Sequence, residues 1–231
     1  MGNMKFSVIL PTYNERKNLP VVIRRLISGC KDYEFEIIVV DDKSPDKTYE
    51  VARSIAKKIK NVKIFVRKSK MGLSSAILFG IKKSKYRFLC VMDADLQHPP
   101  ELVASLVKEL KTYDIVIASR YLEGSKVIGL SLPRKLVSRF LLWFIYLLFP
   151  QLRKVRDPLS GFFAFRKSLV ERKKYRLIGF KFLLELLLKN PSSKIKEIPF
   201  EFGKRKYGRS KAGIKEGINF LYFLLKLRLT S

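Results

Sequence analysis

Unbroken apolar runs alternate with stretches of helical spacing through the first half of the chain. The run 6–10 is apolar but for Ser7 and ends at Pro11, after which Leu19, Val22, Ile23, Leu26 and Ile27 recur at helical intervals over 18–27. The first run predicts a buried strand and the second an amphipathic helix. The unit repeats with a β-branched strand over 36–40, a polar turn over 41–46, and a helix over 47–59 capped by Ser44 or Asp46. Further strands are predicted over 62–66, 87–92 and 115–117, with helices over 74–83 and 101–110, the latter opened by Pro99 and Pro100.

Strands apolar on both faces, separated by helices, belong to a mainly parallel sheet covered on both sides. Ligands of such sheets lie beyond the carboxyl ends of the strands. Three polar clusters fall at such ends: Pro11 to Glu15, Asp41 with Asp42, and Asp93 with Asp95. The strand over 115–117 delivers Ser119 and Arg120 close by.

Beyond Ser131 the alternation gives way to two apolar stretches rich in cations, 134–149 and 214–229. The uninterrupted apolar run 140–150 is well short of the roughly 20 residues that a spanning helix needs. Arg134, Lys135 and Arg139 precede it, Lys226 and Arg228 punctuate the second stretch, and Trp143, Tyr146 and Tyr222 add amphipathic rings. Both are expected to be helices lying in the plane of a membrane interface, with ordinary core helices as the alternative. The expected organisation is one catalytic unit, 1–212, followed by an amphipathic helix, 213–231.

Composition narrows this picture. With 231 residues and 47% hydrophobic content the chain can bury one substantial core. A formal charge of +28 is more than solubility requires, and the excess is expected to meet phosphate in a nucleic acid, a lipid head group or a phosphorylated substrate. A thermophile-type surface is a second source of it, since Gln occurs only at 97 and 151 and His only at 98. Cys30 and Cys90 match no metal-ligand spacing and are expected to be reduced and structural. The N-terminal apolar run is too short for a signal peptide, which gives a cytoplasmic expectation.

Candidate chemistry starts with Asp93 and Asp95. Two residues apart at a strand end, they direct both carboxylates to one side and Ala94 to the other. Paired hard oxygen donors suit Mg²⁺ or Mn²⁺, which complete their shells with substrate phosphates, and Gln97 offers an amide oxygen. Asp also favours turns and caps, so the pair alone is weak. Asp41 and Asp42 offer acceptors for ribose hydroxyls or a base edge, against the alternative of an Asx-turn. Tyr13 and Glu15 offer a stacking ring and an acceptor for base N–H groups.

Five segments together resemble the family 2 glycosyltransferases: Val8 to Glu15, Val39 to Asp42, Met92 to Pro99, Ser119 to Tyr121, and Asp157 to Phe163. Within that family the resemblance is greatest to the dolichyl-phosphate mannose synthases, and it runs from about residue 4 to residue 211. It implies a glycosyltransferase A fold, a GDP-mannose donor, a polyprenyl phosphate acceptor and a divalent metal. By motif it assigns Pro11, Tyr13, Glu15, Val39 and Asp41 to the nucleoside. Asp93, Ala94 and Asp95 fall to the sugar diphosphate, and Asp93, Asp95 and Gln97 to the metal. It puts Arg120 near the donor and acceptor phosphates, Arg134 at the acceptor phosphate, and Arg205 and Lys211 in a basic loop over the diphosphate. Asp157 is expected to orient Ser160 or Arg156.

A lipid phosphate is anionic near neutral pH and needs no strong general base, so inverting single displacement is expected. The partners are then a nucleotide sugar, a lipid phosphate and an anionic membrane surface, with no nucleic acid, and the place is the cytoplasmic face of the cell membrane, peripherally attached. Two alternatives stay open. One is another family 2 transferase, such as one moving glucose from UDP-glucose to a polyprenyl phosphate. The other is a non-enzymatic binder of anionic membranes or nucleic acid.

Overall fold

The apolar runs of the N-terminal half become parallel strands: β1 (Lys5–Thr12), β2 (Glu34–Asp41), β3 (Val62–Val66) and β4 (Phe88–Val91). Helices α1 (Leu19–Gly29), α2 (Thr48–Lys58) and α3 (Leu73–Lys83) make the crossovers, and α4 (Leu102–Glu109) leads to β5 (Ile115–Ser119). The computed structural model describes residues 4–128, 132–171, 173, 175 and 181–207, together with 220, 221, 224, 225, 227 and 228.

The second half is more structured than its pattern predicts. It holds β6 (Lys126–Val127), α5 (Leu132–Leu148), a 3-10 turn (Pro150–Lys154), β7 (Phe163–Arg166), α6 (Ser168–Glu171), α7 (Phe182–Lys189), β8 (Ile195–Pro199) and β9 (Glu201–Phe202). The main sheet has seven strands in the order β3-β2-β1-β4-β7-β5-β8, and β6 pairs with β9 beside it. Only β7 runs against its neighbours, antiparallel to both β4 and β5. The expected mainly parallel α/β sheet is therefore present, with one reversed strand that the hydrophobic pattern did not predict.

Period-two alternation sends the strands' side chains into two cores. Phe6, Val8 and Leu10 of β1 join Phe88 and Cys90 of β4 under α1 and α4. Ile9, Leu89 and Val91 face α3, α5 and α7 on the other side. Each fully buried Phe or Leu, such as Phe6 and Leu10, contributes about 1.5–3 kcal/mol by leaving water. Cys30 and Cys90 are buried and free, as expected, and burial raises the Cys30 thiol to about 12. Gly80 sets the distance of α3, since a Cβ there would meet Ile9 Cγ2 at 2.6 Å.

Helix α5 buries Leu142 and Ile145 but leaves Leu136, Val137, Phe140, Trp143 and Leu147 each more than half exposed. The described residues of the C-terminal stretch share in the core. Phe220, Leu224 and Leu227 pack into the second core, while Leu225 and Arg228 face outward. Among the described residues no helix is long and apolar enough to cross a membrane.

Candidate active site

The loops that leave β1, β2 and β4 all emerge at the carboxyl edge of the sheet, and three of them carry non-glycine residues with left-handed backbone. These are Asn14 (φ 59°), Lys43 (φ 51°), Lys47 (φ 61°) and Leu96 (φ 66°). A left-handed Leu is costly and persists only where its surroundings enforce it. Leu96 lies between Asp95 and Gln97, so the strain sits in the acidic turn itself.

At the end of β2, Asp41 is fully buried. Its carboxylate accepts from the backbone N–H of Ser44 at 2.9 Å, Ser44 Oγ at 2.6 Å and Thr12 Oγ1 at 2.9 Å. It therefore shapes the turn, the Asx-type role, and joins the loops after β1 and β2. Asp42 pairs with the buried Arg67 and accepts from the backbone N–H groups of Met71 at 3.0 Å and Gly72 at 3.1 Å. Arg67 continues to Gly72 O at 2.9 Å, a network invisible in the sequence.

Val39 and Ala94 do not reach the site with their side chains, because both lie in the first core. Val39 points inward from β2 and Ala94 from the turn after β4, so only backbone contacts to a donor are open to them. Pro11 is buried beside Val40 at the end of β1. Tyr13 is partly exposed, with Lys70 Nζ 4.8 Å from its ring centroid.

Glu15 is buried and accepts from Asn18 Nδ2 at 2.6 Å. Across the edge, Arg205 Nη1 donates to Glu15 at 3.2 Å and Nη2 to Asp95 at 2.7 Å. One guanidinium thus ties the loop after β1 to the loop after β4. Two further bonds bring the same segment in: Gln97 Nε2 donates to Gly203 O at 3.1 Å, and Asn18 Nδ2 to Tyr207 O at 3.3 Å. Among the described residues Arg205 Nε is buried and has no hydrogen-bond partner.

The acidic turn is held from beneath by His98, which the sequence marked only as the single histidine. It is buried, stacks on Phe162 at 5.2 Å between centroids, and accepts the Asp93 N–H on Nδ1 at 3.2 Å. Burial lowers its pKa and keeps the ring neutral, as an acceptor must be. Burial also raises the Asp93 carboxyl above its ordinary value; His98, Lys181 and Arg205 oppose the shift and Asp95 adds to it.

Arg120 is gripped by Asp157 through Nε and Nη2, both at 2.8 Å, and its backbone N–H reaches the same carboxylate at 3.0 Å. Burial opposes the guanidinium charge, but the Asp157 hydrogen bonds outweigh it and raise the Arg120 pKa. Asp157 therefore orients Arg120, rather than Ser160 or Arg156. Ser160 instead donates to Ala118 O at 2.7 Å. Lys181 adds an ammonium on this side, with its Nζ 3.0 Å from Leu159 O. Lys211 and the side chain of Arg134 lie outside the described residues.

Among the described residues no three or more His, Cys, Asp or Glu side chains gather as a metal site. The donor set nevertheless suits a hard cation that takes the rest of its shell from phosphate. Among the described residues no hydrogen bond reaches the Asp93 carboxylate, Asp95 already holds a positive partner, and the amide oxygen of Gln97 is the end not bonded to Gly203.

Comparison with known proteins agrees with this geometry. The family model for glycosyl transferase family 2 matches residues 7–173. The dolichol-phosphate mannosyltransferase of Pyrococcus furiosus is 44% identical over 225 residues, spanning 97% of this chain and 64% of the relative. That of Saccharomyces cerevisiae is 36% identical over 236 residues, spanning 97% of this chain and 87% of the relative. The chain thus covers a little under two thirds of the first relative's length.

Among solved structures, the Mycobacterium tuberculosis glucosyl-3-phosphoglycerate synthase, in complex with Mn²⁺, UDP and glucosyl-3-phosphoglycerate, has a TM-score of 0.73 at 20% identity, covering 98% of this chain and 80% of that one. The mannosyl-3-phosphoglycerate synthase of Rubrobacter xylanophilus also has a TM-score of 0.73, at 17% identity, covering 98% and 74%. These share the glycosyltransferase A fold. With the strand order, the strand-end acidic turn and the family match over 7–173, the chain belongs to glycosyl transferase family 2.

Proposed function

We propose that the chain transfers mannose from GDP-mannose to dolichyl or another polyprenyl phosphate, giving a lipid-phosphate mannose. The observation that carries the reading is the junction in which Arg205 spans Glu15 and Asp95. It puts a guanidinium fork, matched to phosphate oxygens, between the loop assigned to the nucleoside and the turn assigned to the diphosphate. The named relatives support mannose and dolichyl phosphate as the substrate classes.

In this reading the acceptor phosphate oxygen forms a bond to the anomeric carbon while the bond from that carbon to the diphosphate oxygen breaks. No proton need move, because the nucleophile is already anionic. The configuration inverts, and an α-linked donor gives a β-linked product. A divalent cation, Mg²⁺ or Mn²⁺, held by Asp93, Asp95 and Gln97 would neutralise charge on the departing diphosphate. Asp41 preforms the turn beside the nucleoside, and Asp157 fixes Arg120 near the phosphates. Lys211 at the diphosphate and Arg134 at the acceptor phosphate follow the family motif.

The lipid must come from a bilayer, and the exposed stripe on α5 supports attachment there. Leu136, Phe140, Trp143 and Leu147 recur at helical spacing on its outer face, with exposed Arg139 alongside. An apolar stripe flanked by cations suits an anionic membrane surface without crossing it. The cytoplasmic face supplies both anionic lipid and nucleotide sugar.

The test is incubation of the protein with GDP-[³H]mannose, Mg²⁺ or Mn²⁺ and a polyprenyl phosphate in anionic vesicles, followed by organic extraction. Label is expected in the lipid phase, dependent on metal, and β-linked. Transfer only from UDP-glucose, or label that stays aqueous with every acceptor, overturns the reading.

A further inference from the structure

The segment 157–161 holds the acceptor side together at three points. Asp157, wholly buried, engages Arg120 through both prongs of its carboxylate. Leu159 O accepts from Lys181 Nζ at 3.0 Å. Gly161 packs so closely on the acidic turn that a Cβ there would stand 2.9 Å from Asp93 Oδ2 and 3.3 Å from His98 Cε1. Arg120, Lys181 and Asp93 are therefore set around one short loop, at the carboxyl edge where β5 ends and β7 begins.

The two cations of this group are not equivalent. Arg120 has its charge matched by Asp157, and its guanidinium also lies over Tyr121 and Phe202, at 5.4 Å and 5.7 Å to the centroids. Lys181 has a backbone carbonyl as its only hydrogen-bond acceptor among the described residues, and no carboxylate within ion-pair distance. A carbonyl satisfies one N–H of an ammonium and leaves the others to seek an acceptor. Unpaired cations are rarely placed under cover unless something anionic completes them.

We propose that Lys181 is a phosphate-binding residue of the acceptor subsite, its ammonium taking an oxygen of the lipid phosphate beside Arg120. The assignment rests on the proposed transfer to a lipid phosphate. Lys181 stands immediately before α7, whose apolar body is anchored in the second core, so the ammonium is presented from a fixed point. Burial lowers its pKa, Arg120 adds to the shift, and Asp93 and Asp157 oppose it. A bound phosphate would restore the charge that the protein alone disfavours.

The experiment compares wild type with Lys181→Met and Lys181→Arg in the vesicle assay. For Lys181→Met the acceptor KM is expected to rise roughly ten- to a hundredfold, the loss of one charge-assisted hydrogen bond. The Kd for GDP should stay at the wild-type value, and Lys181→Arg should recover most of the acceptor affinity. An unchanged acceptor KM, or a parallel loss of GDP affinity, overturns the proposal. If wild type itself moves no mannose to lipid phosphate, it is the functional reading that fails.

A second measurement needs no variant. Acylation of Lys181 in the wild-type protein, followed by mass spectrometry, is expected to slow with a short-chain isoprenyl phosphate. It should slow less with inorganic phosphate, and not at all with the matching isoprenol or with GDP. Protection by GDP alone, or no protection by the isoprenyl phosphate, overturns the assignment.

Discussion

The acids at the ends of β2 and β4 hold comparable places in the sheet and are used in opposite ways. Asp41 and Asp42 are enclosed by donors from their own chain, including two hydroxyls, three backbone N–H groups and Arg67. Among the described residues Asp93 receives no hydrogen bond, and Asp95 receives Gln97 N–H at 3.1 Å and a guanidinium from a distant segment. The first pair has its electrostatic partners built in and serves the fold. The second is sparsely satisfied, with Asp93 open and Asp95 held by one local N–H and one distant guanidinium, which leaves it able to take a ligand. Position at a strand end therefore says where chemistry can occur, and the state of hydrogen bonding says which acid is left open to a ligand.

The sharpest way to break this comparison is Asp93→Asn. Transfer should fall by about a hundredfold or more, the scale on which a preorganised electrostatic stabiliser acts. The melting temperature should hold or rise. Asp93 has a raised folded pKa, so the fold disfavours its carboxylate, and a neutral isostere relieves that penalty above the unfolded pKa. A large drop in melting temperature would place Asp93 with the structural acids.

Asp42→Ala tests the other half. It strands Arg67, of which only 5% of the side chain is exposed, and should destabilise the protein by about 3–5 kcal/mol in urea unfolding. Unchanged stability with a raised donor KM would make Asp42 a ligand contact instead.

The smallest effect is expected from Arg205→Gln. Removing the guanidinium from Asp95 should let Mn²⁺ bind roughly two- to fivefold more tightly in the absence of nucleotide, the worth of one partly exposed ion pair. Electron paramagnetic resonance of the free ion reads this directly, and weaker Mn²⁺ binding would mean that Arg205 organises the turn rather than competing for it.

Local signals were legible. The strands from β1 to β4 announce themselves as apolar runs, and their ends locate the edge where ligands bind. What escaped was set by contacts between distant segments. The partners of Asp41 lie 29 residues away at Thr12 as well as nearby at Ser44, and Asp157 meets Arg120 across 37 residues. His98 and Lys181 carry no spacing signal, and only packing gives them a place. Strand β7 hid because Phe162 to Phe165 is one short apolar run among several, and β8 because its edge position leaves it mixed in polarity. The sequence left the last residues open between a core and a membrane, since an apolar helical face looks the same whichever it covers, and the described Phe220, Leu224 and Leu227 pack into the core.

The reversed strand has a consequence for how such a protein can diversify. Because β7 runs opposite to β5, the chain exits at Ser119 and re-enters at Phe163 side by side, with Ala118 N–H on Phe162 O at 2.9 Å. Between those gateposts lie β6, α5 and the loop 157–161, whose Leu142, Ile145, Leu152 and Leu159 close the second core over the sheet. The inner face of that excursion is thus committed to the core and, through Gly161, to the acidic turn, and only its outward residues, Leu136, Phe140, Trp143 and Leu147 among them, can change at no cost to the sheet.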